Sequence, residues 1–167
     1  MPEDTAEHVI PDGYGTVTPW LISRDSAQLI GFLAAAFSAE ETPGSRMLNP
    51  DGSIAHAEVV IGTSAVMLFD AYAGWPETPA FFRLFLADAD AAHARALAAG
   101  ATSVTAVTER FWGDRVGRVR DPFGNIWWLQ SHVADVPYDE LGSRMNEPAM
   151  VAAMQYVQQS LVDALRA

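Results

Sequence analysis

The hydrophobic and polar positions in the first half of the chain predict a strand, a helix and three further strands. Leu29, Leu33 and Phe37 recur at a spacing of four, which predicts a helix with one apolar face. Asp25 or Ser26 stands where an N-cap is expected. The strands predicted in this half are residues 16–23, 45–49, 54–61 and 65–70.

The same order of elements returns in the second half. Residues 71–79 are rich in glycine and proline and form the best candidate linker. After them, Asp88 or Asp90 is placed to cap a helix over residues 91–99, which Gly100 ends. The two halves therefore predict a duplicated βαβββ module. The strands predicted in this half are residues 81–87, 104–107, 117–120 and 126–130.

The last two of these strands are predicted to form a hairpin. Pro122 presets φ for a turn over residues 121–125, and Gly124 or Asn125 suits a positive-φ corner. Along the returning strand, side chains alternate between the two faces. Trp127 and Trp128 then lie on opposite faces, so this strand is expected to be covered on both sides.

The hairpin sequence also resembles a known family. Gly117-Arg-Val-Arg-Asp-Pro-Phe-Gly-Asn and the following Trp-Trp-Leu resemble the last strands of the vicinal-oxygen-chelate superfamily, which holds glyoxalase I, bleomycin-resistance proteins and extradiol dioxygenases. The PhnB-like branch is the most similar. Thr16-Val-Thr-Pro-Trp-Leu-Ile, Asp51-Gly-Ser-Ile-Ala-His-Ala-Glu and Met67-Leu-Phe-Asp follow the order of that branch, and the resemblance covers roughly residues 13–136. It implies an α+β fold in which two βαβββ modules form a curved eight-stranded mixed sheet with a ligand in its cup.

The predicted organisation has four parts and ends in a helix. These parts are a flexible leader (1–14), a first module (15–73), a second module (80–133) and a C-terminal helical extension (137–167). In the extension, Met150, Val151, Met154, Val157, Leu161 and Leu165 have helical spacing over residues 147–166. A helix that packs on the domain is favoured, and a dimer contact is the alternative.

Composition excludes several classes of partner. A formal net charge of −11 argues against nucleic acid, because phosphate binding needs clustered cations. There is no cysteine and no lysine, which removes thiolate and Schiff-base chemistry. No apolar run reaches the length of a membrane span, and the N-terminus does not resemble a signal peptide. A cytoplasmic protein that binds neither nucleic acid nor membrane is therefore expected.

The resemblance also indicates where metal ligands belong, namely on the first and last strands of each module. Counted back from the two cap aspartates, the first-strand positions hold Thr18 and Phe81. On the last strands, the residue before the recurrent leucine is Met67 in the first module and Trp128 in the second. Divalent ions prefer nitrogen and oxygen donors from histidine and carboxylates, and these four residues do not supply them. A site without metal or other cofactor is expected.

The same substitutions predict an aromatic cup for a hydrophobic or aromatic small molecule, with ordinary core packing as the alternative. Arginine in such a cup would contact a polar or anionic group. Arg118 and Arg120 share a strand face, and surface pairing with Asp121 and Glu109 is favoured for both over anion binding. The candidate ligand-binding residues are Trp20, Met67, Phe81, Arg83, Trp112, Arg120 and Trp128.

His56 and Glu58 form the second candidate site. They lie two apart on a strand and share a face, so they suit a general base with its partner or two ligands of a displaced metal. A hydrogen-bonded structural pair is favoured, because Ala57, Val59 and Ile61 resemble the buried side of the strand. His93 and His132 are expected to be solvated.

Three functions fit these observations. The first is a metal-free small-molecule-binding protein of the resistance type that sequesters a hydrophobic compound or an antibiotic, and the resemblance implies a homodimer. The second is a metal-dependent lyase, isomerase or dioxygenase with a relocated site at His56 and Glu58, completed by Asp70 or His132. The third is a dimerising or regulatory module that uses the C-terminal helix.

Overall fold

The computed structural model describes residues 10–166, which form nine strands and four helices. Most of the predicted leader, residues 1–9, lies outside the described residues. The strands are β1 (Trp20–Ser23), β2 (Glu40–Glu41), β3 (Met47–Leu48), β4 (Ile54–Ile61), β5 (Ser64–Asp70), β6 (Phe81–Phe85), β7 (Thr102–Glu109), β8 (Asp114–Arg120) and β9 (Ile126–His132). The helices are α1 (Ser26–Phe37), α2 (Ala89–Ala98), α3 (Tyr138–Met145) and α4 (Pro148–Arg166).

The chain divides into two compact units. Among the described residues, the first contains residues 10–34 and 38–78, and the second contains residues 35–37 and 79–166. In each unit the first strand runs parallel to the last strand, and the remaining pairs are antiparallel. The sheet orders are β1-β5-β4-β2, with β3 also on β4, and β6-β9-β8-β7.

In the first unit, α1 begins at the predicted cap. The Asp25 side chain accepts a hydrogen bond from the Gln28 backbone N–H at 2.9 Å, which satisfies one of the free donors of the first helical turn. Leu29 and Leu33 are fully buried, as their spacing predicted. Ala57, Val59 and Leu68 are equally buried on one face of the sheet, so the opposite face of β4 and β5 carries the half-buried side chains.

In the second unit, helices cover both faces of the sheet. The α2 backbone reaches the Trp127 face, because Ala89 N–H donates to Ser131 Oγ at 2.5 Å. On the other face, Thr105 Oγ1 and Ser160 Oγ of α4 lie 2.7 Å apart. Trp127 and Leu129 are buried and Trp128 is half-buried, which agrees with the expectation of a strand covered on both sides.

The α+β class, the two modules and the C-terminal helix are confirmed, with differences in detail. The strands are hydrogen-bonded as two mixed sheets, one per unit, and β2 raises their number above the predicted eight. The strand predicted over 16–23 begins only at Trp20. Helix α3 was not predicted as a separate element, and no residue in it is buried. None of the helices within residues 10–166 has both the length and the apolar character needed to cross a membrane.

Candidate functional site

A pocket of about 340 Å³ lies in the second unit, where β6 and β9 begin and β8 and α4 end. Ile126 is the direct cross-strand partner of both Phe81 and Arg120, so it stands between them in the pocket wall. The pocket is lined by Pro79, Ala80, Phe81, Arg120, Gly124, Ile126 and Leu165. Two predicted ligand-binding residues, Phe81 and Arg120, are therefore brought together.

The turn beside this pocket is fixed by Asp121. Its carboxylate accepts hydrogen bonds from the backbone N–H groups of Phe123 and Asn125, each at 2.9 Å. It also accepts from Trp127 Nε1 at 2.9 Å. Gly124 has φ +91°, a conformation in which glycine carries no steric penalty. The predicted turn is thus confirmed, and Asp121 holds it instead of pairing with a surface arginine.

The same turn positions the pocket wall. Asn125 Oδ1 accepts a hydrogen bond from the Ala80 backbone N–H at 2.9 Å, immediately before Phe81. On the opposite side, Arg120 Nη2 donates to the Ala164 carbonyl oxygen of α4, next to Leu165. The pocket therefore combines apolar walls with the guanidinium of Arg120, which can donate to an acceptor group of a ligand.

Arg118, two residues earlier on the same strand face, is buried instead of exposed. Its guanidinium carbon lies 4.2 Å from the centroid of the Trp128 ring, and Nη1 donates to the Val157 carbonyl oxygen at 2.6 Å. The prediction that Arg118 and Arg120 pair with acidic residues on the surface is wrong. Helix α4 covers this face and supplies backbone carbonyls as their partners.

A hydrogen-bond network continues from Trp128 along the sheet. Trp128 Nε1 donates to Gln130 Oε1 at 3.0 Å, and Gln130 Nε2 donates to Asp114 Oδ2. Asp114 also accepts from Trp112 Nε1 at 2.8 Å and contacts His132 Nδ1 at 2.7 Å. Trp112 thus lies at the β7–β8 turn and orients Asp114, outside the pocket that holds Phe81.

This network shifts the pKa values of Asp114 and His132, which form an ion pair. Burial alone would raise the pKa of Asp114, but hydrogen bonds from His132, Gln130 and Trp112 outweigh it and lower that pKa. Hydrogen bonds to Asp114 and then Asp135 raise the pKa of His132. The side chain of His132 is 56% exposed, as expected, but both of its ring nitrogens also contact carboxylates, which the sequence did not indicate.

In the first unit, the second candidate pair shares a sheet face with two predicted aromatic-cup residues. Met67 is the cross-strand partner of both Trp20 and Glu58. The ring centroids of Trp20 and His56 are 5.6 Å apart, and His56 Nε2 lies 3.0 Å from Glu58 Oε1. Trp20, His56, Glu58 and Met67 therefore form one half-exposed surface.

Tyr14 adds a contact that the sequence did not indicate. Its hydroxyl donates to Glu58 Oε2 at 2.6 Å. This hydrogen bond lowers the pKa of Glu58, with a smaller contribution from His56. Because its pKa is lowered, the Glu58 carboxylate is a weak base and is poorly suited to take a proton as a general base.

The residues named for a relocated metal site have other partners. Both carboxylate oxygens of Asp70 accept backbone hydrogen bonds, from Ser26 at 2.6 Å and Ile54 at 2.7 Å. Within residues 10–166, no group of three or more histidine, cysteine, aspartate or glutamate side chains is arranged to hold a metal ion.

Strand register adds two residues to the positions considered for a metal. Trp20 is the cross-strand partner of Met67 and Arg83 is the partner of Trp128, each two residues after the position counted from the caps. Arg83 is exposed, and its guanidinium carbon lies 5.2 Å from the Phe85 ring.

Comparison with known proteins agrees with this architecture. Residues 21–129 match the family model of the Glyoxalase/Bleomycin resistance protein/Dioxygenase superfamily. The chain belongs to this superfamily. Among its relatives is the uncharacterized protein Rv0887c of Mycobacterium tuberculosis, which is 38% identical over 141 residues, or 78% of this chain and 82% of the relative.

Two solved structures that are similar to this chain illustrate the shared fold. TioX from Micromonospora sp. ML1 has a TM-score of 0.59 and 25% identity, and the match covers 71% of this chain and all of TioX. The fosfomycin resistance protein FosX from Mesorhizobium loti has a TM-score of 0.52 and 17% identity, and covers 75% of this chain and 95% of FosX. The likeness to FosX concerns the fold alone.

Proposed function

We propose that this superfamily member binds an apolar or aromatic small molecule that carries an acceptor group, without a metal ion. The site is the pocket lined by Phe81, Ile126, Leu165 and Arg120. Its volume of about 340 Å³ falls within the range of small-ligand pockets. The combination of an aromatic wall with one guanidinium is the observation that carries the proposal.

The chemistry of the pocket defines the ligand class. A planar ring can stack against Phe81 and displace water from the apolar wall, which supplies most of the affinity. Arg120 then orients the ligand through an oxygen acceptor. No bond of the ligand is broken, so the proposed role is sequestration. Antibiotics with a flat, weakly polar body belong to this class.

We propose the absence of a metal ion because the facing positions on the first and last strands of each unit hold tryptophan, methionine and arginine side chains. Trp20 faces Met67 in the first unit, and Arg83 faces Trp128 in the second. We further propose a homodimer and placement in the PhnB-like branch, both on the strength of the sequence motifs described above.

The alternative is a metal-dependent lyase, isomerase or dioxygenase with ligands His56 and Glu58. It is supported by the 3.0 Å contact between these side chains on a partly exposed face. The ionised state of Glu58 suits a metal ligand as well as it suits the hydrogen bond from Tyr14.

Elemental analysis of the purified full-length protein separates these functions. We expect no stoichiometric divalent metal and no change in tryptophan fluorescence when Mn²⁺, Zn²⁺ or Fe²⁺ is added. Trp20 is the reporter, since its ring contacts His56. A stoichiometric ion that is lost in both His56→Gln and Glu58→Gln variants would instead establish the metal-dependent alternative.

A further inference from the structure

Two arginines are buried together beneath α4. The exposed fraction is 0% for Arg110 and 3% for Arg118. Each donates one hydrogen bond from Nη1 to a helix carbonyl, Arg110 to Ala153 at 2.9 Å and Arg118 to Val157 at 2.6 Å. Helix backbone is therefore their main partner.

Three of the six guanidinium nitrogens of this pair are buried without a hydrogen-bond partner in the described part of the chain. Nε and Nη2 of Arg110, Nε of Arg118 and Oγ1 of Thr108 are buried and have no hydrogen-bond partner among residues 10–166. Thr108 lies on the sheet face that carries Arg118. The pairing of β7 with β8 is irregular between Thr105 and Thr108, and these two residues pair with Arg118 and Val116. Buried donors without acceptors are rare, because each costs the full desolvation penalty.

The charge of this cluster is also uncompensated. No carboxylate lies within ion-pair distance of Arg110 or Arg118 in the described part of the chain, although the protein carries a formal net charge of −11. Burial, with the neighbouring charge of Arg110, lowers the pKa of Arg118 to about 10, so it remains a cation at neutral pH. Two adjacent buried cations strongly favour an anion between them.

The free edge of Arg110 indicates which anion fits. Arg46 uses its Nε and Nη2 to hold both oxygens of Glu41, each at 2.7 Å. Arg115 uses the same two nitrogens to hold Asp90 at 2.7 and 2.8 Å. In Arg110 this same pair of nitrogens is buried and free, and its planar fork matches two oxygens of one oxyanion.

We propose that Arg110 and Arg118 form a binding site for one small oxyanion, a carboxylate or phosphate group, beneath α4. Arg110 Nε and Nη2 grip two oxygens of the anion, and Arg118 Nε and Thr108 Oγ1 donate to the same group. The site is reached when α4 lifts, since Val157 is the one residue of the described part of α4 that is buried. This site shares no residue with the pocket lined by Phe81, Arg120 and Leu165, so the two proposals are tested with different variants.

Titration calorimetry of the full-length protein with inorganic phosphate, at fixed ionic strength adjusted with chloride, tests the site. We expect saturable binding of one phosphate, with a parallel change in the fluorescence of Trp128, on which Arg118 stacks. Arg110→Lys keeps the charge and removes the fork, so affinity should fall by about tenfold. A parallel titration with acetate distinguishes a phosphate-selective site from a general carboxylate site.

Arg115→Lys is the matched control, because Arg115 holds Asp90 of α2 with the same fork on the opposite face of β8, where its side chain is 38% exposed. It should bind phosphate as the unaltered protein does. If Arg110→Lys does not fold, Thr108→Val replaces it and should weaken binding by about threefold. Absence of saturable phosphate and acetate binding, or equal affinity in the Arg110→Lys or Thr108→Val variant, would overturn the proposal and leave Arg110 as an anchor for α4.

Discussion

Arg118 and Trp128 are direct cross-strand partners, and the Arg118 guanidinium carbon lies over the Trp128 ring, 4.2 Å from its centroid. Stacking of this kind is favourable when the cation is desolvated. Here desolvation comes from α4, whose Val157 carbonyl accepts a hydrogen bond from Arg118. The hydrogen bond from Arg118 therefore helps to hold α4 on the sheet face that carries Trp128.

Attachment of α4 should depend on Val157. Its side chain is 4% exposed, whereas that of Val151, on the same helix, is 41% exposed. Val157→Ala should lower the free energy of unfolding by about 2 kcal/mol through lost burial and a residual cavity. Hydrogen exchange across residues 148–166 should accelerate in the same variant. Chemical denaturation and exchange mass spectrometry measure the two effects.

Val151→Ala provides the control for helix propensity, because both substitutions exchange valine for alanine within α4. It should change stability by about 0.5 kcal/mol or less. Equal effects of the two substitutions would mean that α4 is not anchored through Val157. Loss of a dimer in Val151→Ala alone would instead favour a dimer contact through the exposed side of the helix.

Stability should depend on pH through His132. Hydrogen bonds to Asp114 and Asp135 raise the pKa of His132 above its ordinary value of 6.5. The folded state therefore binds the proton more tightly than the unfolded state. The stabilisation is fully present below pH 6.5 and is lost as pH rises through the higher folded-state pKa. The free energy of unfolding of the unaltered protein should thus exceed that of His132→Gln by more at about pH 5.5 than at about pH 9.

His93 supplies a contrast of opposite sign. Burial lowers the pKa of His93, so its contribution to stability decreases as pH falls. The free energy of unfolding of His93→Gln, relative to that of the unaltered protein, should therefore be higher at about pH 5.5 than at about pH 9. A His132→Gln difference that does not change with pH would contradict the ion pair with Asp114.

Gly113 should tolerate no side chain. Its φ is +91°, and a Cβ atom there would overlap the Ala134 carbonyl oxygen and lie 3.1 Å from Val136. Gly113 also accepts backbone hydrogen bonds from Val133 and Ala134, each at 3.0 Å, so the contact is not free to open. Gly113→Ala should destabilise the protein by about 3 kcal/mol or more.

Gly74→Ala separates backbone strain from steric overlap. Gly74 has a similar φ of +84°, but a Cβ atom there meets nothing within 4 Å. Its cost should be limited to the left-handed conformation, about 1 kcal/mol. Thermal and urea denaturation of the two variants gives the comparison. Similar losses in both would show that the Ala134 contact can relax.

The fold was largely predictable because its signals are local. The Asp25 cap, the Leu29 and Leu33 spacing and the Gly124 turn each depend on a few neighbouring residues, and all are confirmed. Strand pairing was less predictable from the sequence. The bulge that turns Thr108 to the face of Thr105 breaks the period of two, and nothing in the local sequence marks it.

The site was predictable only in part, because burial of its polar groups depends on distant chain segments. Phe81 and Arg120 were identified from strand position and do line one pocket. The burial of Arg118 and Arg110 was not predicted, since arginine is ordinarily exposed and the covering helix comes about 40 residues later. Tyr14 is likewise joined to Glu58 across the first unit.

Binding of a flat aromatic anion is the most direct test of the proposed pocket, and 1-anilinonaphthalene-8-sulfonate is a suitable fluorescent probe. The proposed pocket predicts saturable binding with one probe per chain. Phe81→Ala should weaken this binding by about tenfold, because one aromatic wall is lost. Phe85→Ala, on the same face of β6 but outside the pocket, should leave it unchanged. Non-saturable binding, or equal loss in both variants, would contradict a ligand site at Phe81.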